Sequence, residues 1–149
     1  MSVLRAMPHL ARRFITSLSR REPPEVDTEW VRSQLLPGEV ALWQQMSVQD
    51  RRHAVLVARR FVALVDQPDR EEVAGALLHD VGKQASGLGT FARVAATLVG
   101  PRGDRFRKYH DHQALGAAMA GDAGSTAVTM ALVGGRGPLA PMLAAADHV

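Results

Sequence analysis

The sequence predicts an all-α protein, a compact multi-helix array of seven to nine short helices preceded by a basic helical arm. Three observations carry that expectation. Apolar residues recur at three- and four-residue steps through most of the chain, and no segment alternates as a strand would. Alanine is abundant and aromatic residues are only 5%, a balance that leans toward helix. Gly- and Pro-rich joints cut the pattern into pieces of helix length. With 149 residues, 46% apolar and 22% charged, the chain fits one folded domain with a real core. The expected division is a basic arm over 1–25 and a helical domain over 26–149.

The arm carries Leu4, Met7, Leu10, Phe14 and Leu18 on one helical stripe, with arginines between them. It reads as a terminal helix docked on the body, or as a segment for a membrane surface or an anionic partner. Its arginine-rich, acid-free composition also resembles an organellar transit peptide, and it lacks the unbroken apolar core of a secretory signal. Glu22-Pro23-Pro24-Glu25 then breaks the chain. Asp27 or Thr28 is expected to cap a helix through Leu36, ended or kinked by Pro37-Gly38, with a further helical turn or two over Glu39 to Met46. Ser47 followed by Asp50 resembles a capping box and opens a helix to about Asp66. Asp69 caps the next, from Arg70 to Val81, stopped by Gly82. A loop at Gly87-Leu88-Gly89, a helix from Thr90 to Leu98 and a turn at Gly100–Gly103 follow. Further helices are expected over 111–120, 124–133 and 138–147.

Composition excludes several function classes. Without cysteine there is no disulfide, thiolate metal site or cysteine nucleophile, and the chain suits a reducing, cytoplasmic compartment. The longest charge-free stretch, Ala123 to Gly135, is 13 residues, whereas a spanning helix needs roughly 20. The pI of 10.2 invites a nucleic-acid reading, yet net charge is only +3. Sixteen arginines, two lysines and one tyrosine leave few groups to lose a proton between neutrality and pH 10, so a small arginine excess drags the pI upward. Residues 1–21 hold five arginines and no acid, while the remainder has 13 basic against 15 acidic residues, a net −2. The body is near neutral, aromatic stacking platforms are sparse, and nucleic acid is not the expected partner.

Four titratable residues stand on apolar helix faces. His53 shares a face with Leu56, Val57, Phe61 and Leu64, so it is expected to point at the core. His79 and Asp80 close the most apolar helix, Val73-Ala-Gly-Ala-Leu-Leu78. A carboxylate there opposes both burial and the negative end of the helix dipole, and calls for a nearby cation, either Lys83 or a metal ion. Asp147 follows Leu139 and Leu143 at four-residue steps. Two imidazoles and two carboxylates form a mixed N/O ligand set suited to one divalent transition metal (manganese, iron, cobalt, nickel or zinc) and ill suited to magnesium.

The segments RRHAVLVA (Arg51 to Ala58), ALLHDVGK (Ala76 to Lys83), YHDHQALGA (Tyr109 to Ala117) and AAADHV (Ala144 to Val149) resemble the ordered motifs of the HD-domain metal-dependent phosphohydrolase superfamily. The resemblance spans about residues 47–149, and ALLHDVGK is its specific part. A second His-Asp pair, His110-Asp111, lies in a polar setting and shows how little the dipeptide alone means. The resemblance implies an all-α core. It also implies a metal held by His53, His79, Asp80 and Asp147, and a catalytic role for Lys83, touching a substrate phosphate or helping to handle protons. By the same resemblance His112 would serve a phosphate or a second ion. Members with two metals usually carry a further histidine before the closing aspartate. Here that stretch reads Leu132-Val-Gly-Gly-Arg-Gly137, which argues against a full two-metal site.

The function these readings imply is hydrolysis of a phosphate ester, with a nucleotide as the expected small-molecule partner. Asp80 would accept a proton, and Lys83 with an arginine such as Arg52 or Arg136 would neutralise phosphate charge. The alternative keeps the fold and drops the reaction: a catalytically inactive metal- or nucleotide-binding regulatory module. There is no Walker-type phosphate loop and no serine in an elbow motif.

Overall fold

The computed structural model describes residues 22–83 and 105–148, with backbone only for 105–111. The described residues form seven helices and no strand, as the periodicity predicts. They are α1 (Glu25–Gln34), α2 (Pro37–Gln44), α3 (Val48–Leu64), α4 (Arg70–Leu78), α5 (Arg105–Asp122), α6 (Ala127–Val133) and α7 (Ala140–Asp147). The basic arm, the Gly87–Gly89 loop, the helix expected at 90–98 and the turn at 100–103 lie outside the described residues. None of the described helices is long and apolar enough to cross a membrane.

The centre of the array is α4, which packs on α1, α2, α3 and α6. A helix enclosed on every side should be apolar all round, and Val73 to Leu78 are all buried. Gly75 lets Leu132 of α6 approach its backbone, and the Thr129 hydroxyl, itself buried, donates to the Glu71 carbonyl at 2.7 Å. Around α4, Val57 and Phe61 of α3, Val133 of α6 and Leu143 of α7 complete the core.

Charged residues fix the helix starts. The Glu39 carboxylate, wholly buried, accepts from the Leu36 amide at 2.8 Å, from Arg70 at 2.9 Å and from the Ser125 hydroxyl at 2.6 Å. Arg70 also donates to the Gln34 carbonyl at 2.7 Å, so one half-buried ion pair joins the end of α1, the start of α2 and the start of α4. The Ser47 hydroxyl accepts from the Asp50 amide at 3.1 Å, and the Glu72 carboxylate accepts from the Asp69 amide at 2.8 Å, so both expected caps form.

Several boundaries depart from expectation, each for a local reason. Helix α1 starts at Glu25 with Pro24 at the cap position and no side-chain cap. Asp27 lies inside its first turn and pairs with Arg59 at 3.1 Å, while the Arg59 guanidinium stacks 3.8 Å over Trp30. Pro37 opens α2 where it was expected to end or kink a helix, because proline's missing N–H costs nothing in a first turn. Helix α3 ends at Leu64, two residues early, and α4 ends at Leu78, after which His79 and Asp80 form a turn and Val81 to Lys83 a short 3-10 segment. Helix α5 is longer than expected, running from Arg105 to Asp122. On α3, Leu56 and Leu64 are exposed, so the buried stripe runs through Ala54, Val57, Ala58 and Phe61, with His53 at its edge.

Gly82 has a different task from the one expected. A Cβ there would fall on the His112 carbonyl oxygen and lie 2.9 Å from the Gly116 amide nitrogen. The turn that carries the His79-Asp80 doublet therefore rests directly on the α5 backbone, and only glycine allows it. Because backbone cannot move aside as a side chain does, Gly82→Ala should destabilise the fold by about 3 kcal/mol, measured by urea unfolding. An unchanged midpoint would show that the turn and α5 are not in contact.

Candidate metal centre

Three elements deliver four side chains to one point. His53 projects from the second turn of α3, His79 and Asp80 from the turn after α4, and Asp147 from the last turn of α7. The packing of α3 on both α4 and α7 sets this convergence. One ligand atom from each of the four residues lies within 4.8 Å of all the others. His53 Nε2 stands 2.8 Å from Asp147 Oδ1 and 3.9 Å from Asp80 Oδ2. His79 Nε2 stands 3.4 Å from Asp80 Oδ2 and 3.5 Å from Asp147 Oδ1.

The donor atoms fit a divalent transition metal. With bonds of about 2.1 Å, neighbouring ligand atoms sit roughly 3.0–3.4 Å apart and opposed ones about 4.2 Å. The four nitrogen–oxygen separations, 2.8 to 3.9 Å, fall close to that range, and all four atoms lie within 4.8 Å of one another. The chemistry of His79 points the same way. Its Nδ1 lies 2.7 Å from the Ala76 carbonyl oxygen and donates to it, which leaves Nε2 as the lone-pair nitrogen of the neutral ring. Nε2 is buried and makes no hydrogen bond, although two carboxylates face it. A lone pair facing two anions is stable only with a cation between them, either a proton or a metal ion. Two nitrogens and two oxygens can hold manganese, iron, cobalt, nickel or zinc.

Without a metal, protonation takes up that role. Burial pushes the His79 pKa down, but the Asp147 carboxylate, the Asp80 charge and the Ala76 carbonyl outweigh it, and the net shift is upward from 6.5. The Asp147 carboxyl is held well below the usual carboxylate range, first by His53 and then by His79.

Asp80 divides its two oxygens. Oδ2 faces the histidines, while Oδ1 receives Lys83 Nζ at 3.2 Å. The lysine sits where a continuing helical turn would place it, although the turn is 3-10. A cavity of about 130 Å³ opens beside His79, Asp80 and Asp147, lined also by Lys83, and by His112 from α5. His53 lies outside the cavity lining, as do Arg52 and Arg136, the two arginines named as phosphate partners. The side chain of His110 lies outside the described residues. Gln113 and His148 line the cavity and were not singled out from the sequence. His148 follows a ligand candidate directly, and Gln113 follows His112, so adjacency was the available signal.

The chain matches no protein-family model, no curated protein and no solved structure.

Elemental analysis of protein purified without added metal should find about one equivalent of a transition metal, lost in Asp80→Ala. Protein that stays empty when supplied with manganese, iron or zinc would contradict the assignment. The pH dependence has a defined sign. In metal-free protein the Asp147 contribution is present above its ordinary pKa and lost as pH falls through the lowered one. The His79 contribution is present below 6.5 and lost as pH rises through the raised value. These two groups therefore stabilise the metal-free protein most between roughly pH 4 and 6.5. Its Tm should fall from pH 6 to pH 8.5, manganese should reverse that fall, and His79→Gln should flatten it.

Proposed function

We propose that the protein is a metal-dependent phosphohydrolase of the HD-domain type, acting on a phosphate ester, with a nucleotide as the substrate class. What supports the reading most is the pairing of a four-residue N/O cluster with a lysine on the outer oxygen of one of its carboxylates, beside a small cavity lined by both polar and apolar side chains. The order of the motifs in the chain and the all-helical array agree with it.

His53, His79, Asp80 and Asp147 would hold the ion. When bound, a divalent transition metal polarises a phosphoryl oxygen and acidifies water. The remaining work falls to the chain. The cavity of about 130 Å³ beside the cluster is where the phosphoryl group would sit. Lys83, more than half exposed and paired with Asp80 Oδ1, would set its positive charge against that of the phosphate oxygens. His112, on a different helix, lines the same cavity and can donate to the phosphate from there. Asp80 is the carboxylate that would take the proton of an attacking water. The Ala76 carbonyl fixes the ring of His79, and the Gly82 contact with α5 fixes the turn, so the doublet is held before substrate arrives.

One observation favours the second reading, a binding module without turnover. The 132–137 stretch lacks histidine, and it contributes Leu132, Val133 and Gly135 to the cavity wall, none with a side chain that can carry a proton.

Manganese-loaded protein assayed against a panel of nucleotides and a generic phosphodiester separates the two. Hydrolysis abolished by Asp80→Ala, and lowered about a hundredfold in kcat/KM by Lys83→Ala with manganese still bound, is the expected outcome. Metal-loaded protein that turns over nothing in a broad panel is the module.

A further inference from the structure

The cavity has a wall that the motif reading leaves empty. Leu132 and Val133 of α6 and Ala140, Leu143 and Ala144 near or on α7 make this side apolar. Helix α5 runs between this wall and the doublet turn. On one side His112 and Gly116 meet Gly82 through their backbones. On the other, Ala117 Cβ lies 3.5 Å from where a Cβ on Gly134 would sit, and Gln113 meets Gly135. A Cβ on Gly135 would fall 2.5 Å from Gln113 Nε2 and 2.9 Å from both Cδ and Oε1. The Gln113 carboxamide therefore occupies the volume that any side chain at 135 would need. Gly135 also adopts φ +73°, a left-handed conformation that glycine takes without strain. The stretch without a histidine thus has a structural counterpart: the missing side chain makes room for an amide from the neighbouring helix.

We infer that Gln113, seated on Gly135, is a further substrate contact whose carboxamide hydrogen-bonds a non-bridging oxygen of the phosphoryl group in the cavity. The inference rests on the phosphate-ester reading of the site and adds a recognition element to it. A carboxamide presents two N–H donors and no charge. It can satisfy a phosphate oxygen without altering the balance among two carboxylates, Lys83 and the ion that the cluster would hold. It also borders the apolar wall, where a charged side chain would be costly to bury. Gly135 is then a positioning residue, acting only through Gln113.

The test uses full-length protein loaded with manganese and inorganic phosphate as the probe, titrated by calorimetry, with manganese affinity measured separately. Gln113→Ala should weaken phosphate binding about tenfold and raise the KM for a hydrolysed ester similarly, leaving manganese affinity within about twofold. Gly135→Ala should give the same loss by displacing the amide. The double variant should bind phosphate no worse than about the weaker single one, since both remove one contact. If Gly135→Ala fails to fold, Gln113→Leu, which keeps the bulk and removes the donors, stands in for it and should match Gln113→Ala. Unchanged phosphate affinity in the Gln113 variants, with wild type binding phosphate, overturns the inference and leaves the proposed function intact. Wild-type protein that holds manganese but neither binds phosphate nor hydrolyses any ester overturns both.

Discussion

Two carboxylates share a partly enclosed space with the lone-pair nitrogen of a buried imidazole, and the rest of the structure is organised by the need to neutralise them. Asp80 follows the C-terminal end of α4, where the helix dipole opposes its charge, and Asp147 ends α7 in the same unfavourable position. Neither placement improves stability for its own sake. Each is tolerated because His53 and His79 face them and because Lys83 meets the outer oxygen of Asp80. Two carboxylates and two imidazole nitrogens brought this close could hold a cation.

The scaffold supplies rigidity where the cluster needs it. Helix α4 is enclosed by four other helices, so the doublet that follows it inherits a fixed starting point. From there Gly82 seats the turn on α5, and α5 in turn brings His112 and Gln113 to the cavity. The half-buried Glu39–Arg70 pair performs a similar service at the opposite end of α4, holding its start against α1 and α2. Position and chemistry are thus separated: apolar packing and glycine contacts place the side chains, and the polar groups at the helix ends interact.

Much of this was legible in the sequence. Helical periodicity and the absence of strand alternation gave the fold class, and the buried setting of His79-Asp80 marked the cluster before any geometry was known. What escaped has physical causes. The face of α3 was drawn too wide, because Leu56 and Leu64 satisfy helical spacing but meet no partner helix among the described residues. Pro37 was taken as a stop because proline is compatible with both a helix end and a first turn, and only the preceding chain path decides between them. Gly82 read as a terminator because local sequence cannot show that another helix backbone presses on it. Gln113 was passed over for a related reason, since its relevance depends on a glycine 22 residues away.

The four converging side chains are not held with equal tenacity. Val73 to Leu78 are buried on every side, so exchange of their amides with solvent requires the domain itself to open. Helix α7 has eight residues, with Leu143 and Ala146 as its buried anchors, and Asp147 stands on its final turn. The doublet is therefore the fixed jaw of the cage and the last carboxylate the hinged one. Opening that one turn would be enough to part the cluster while α4 stays packed.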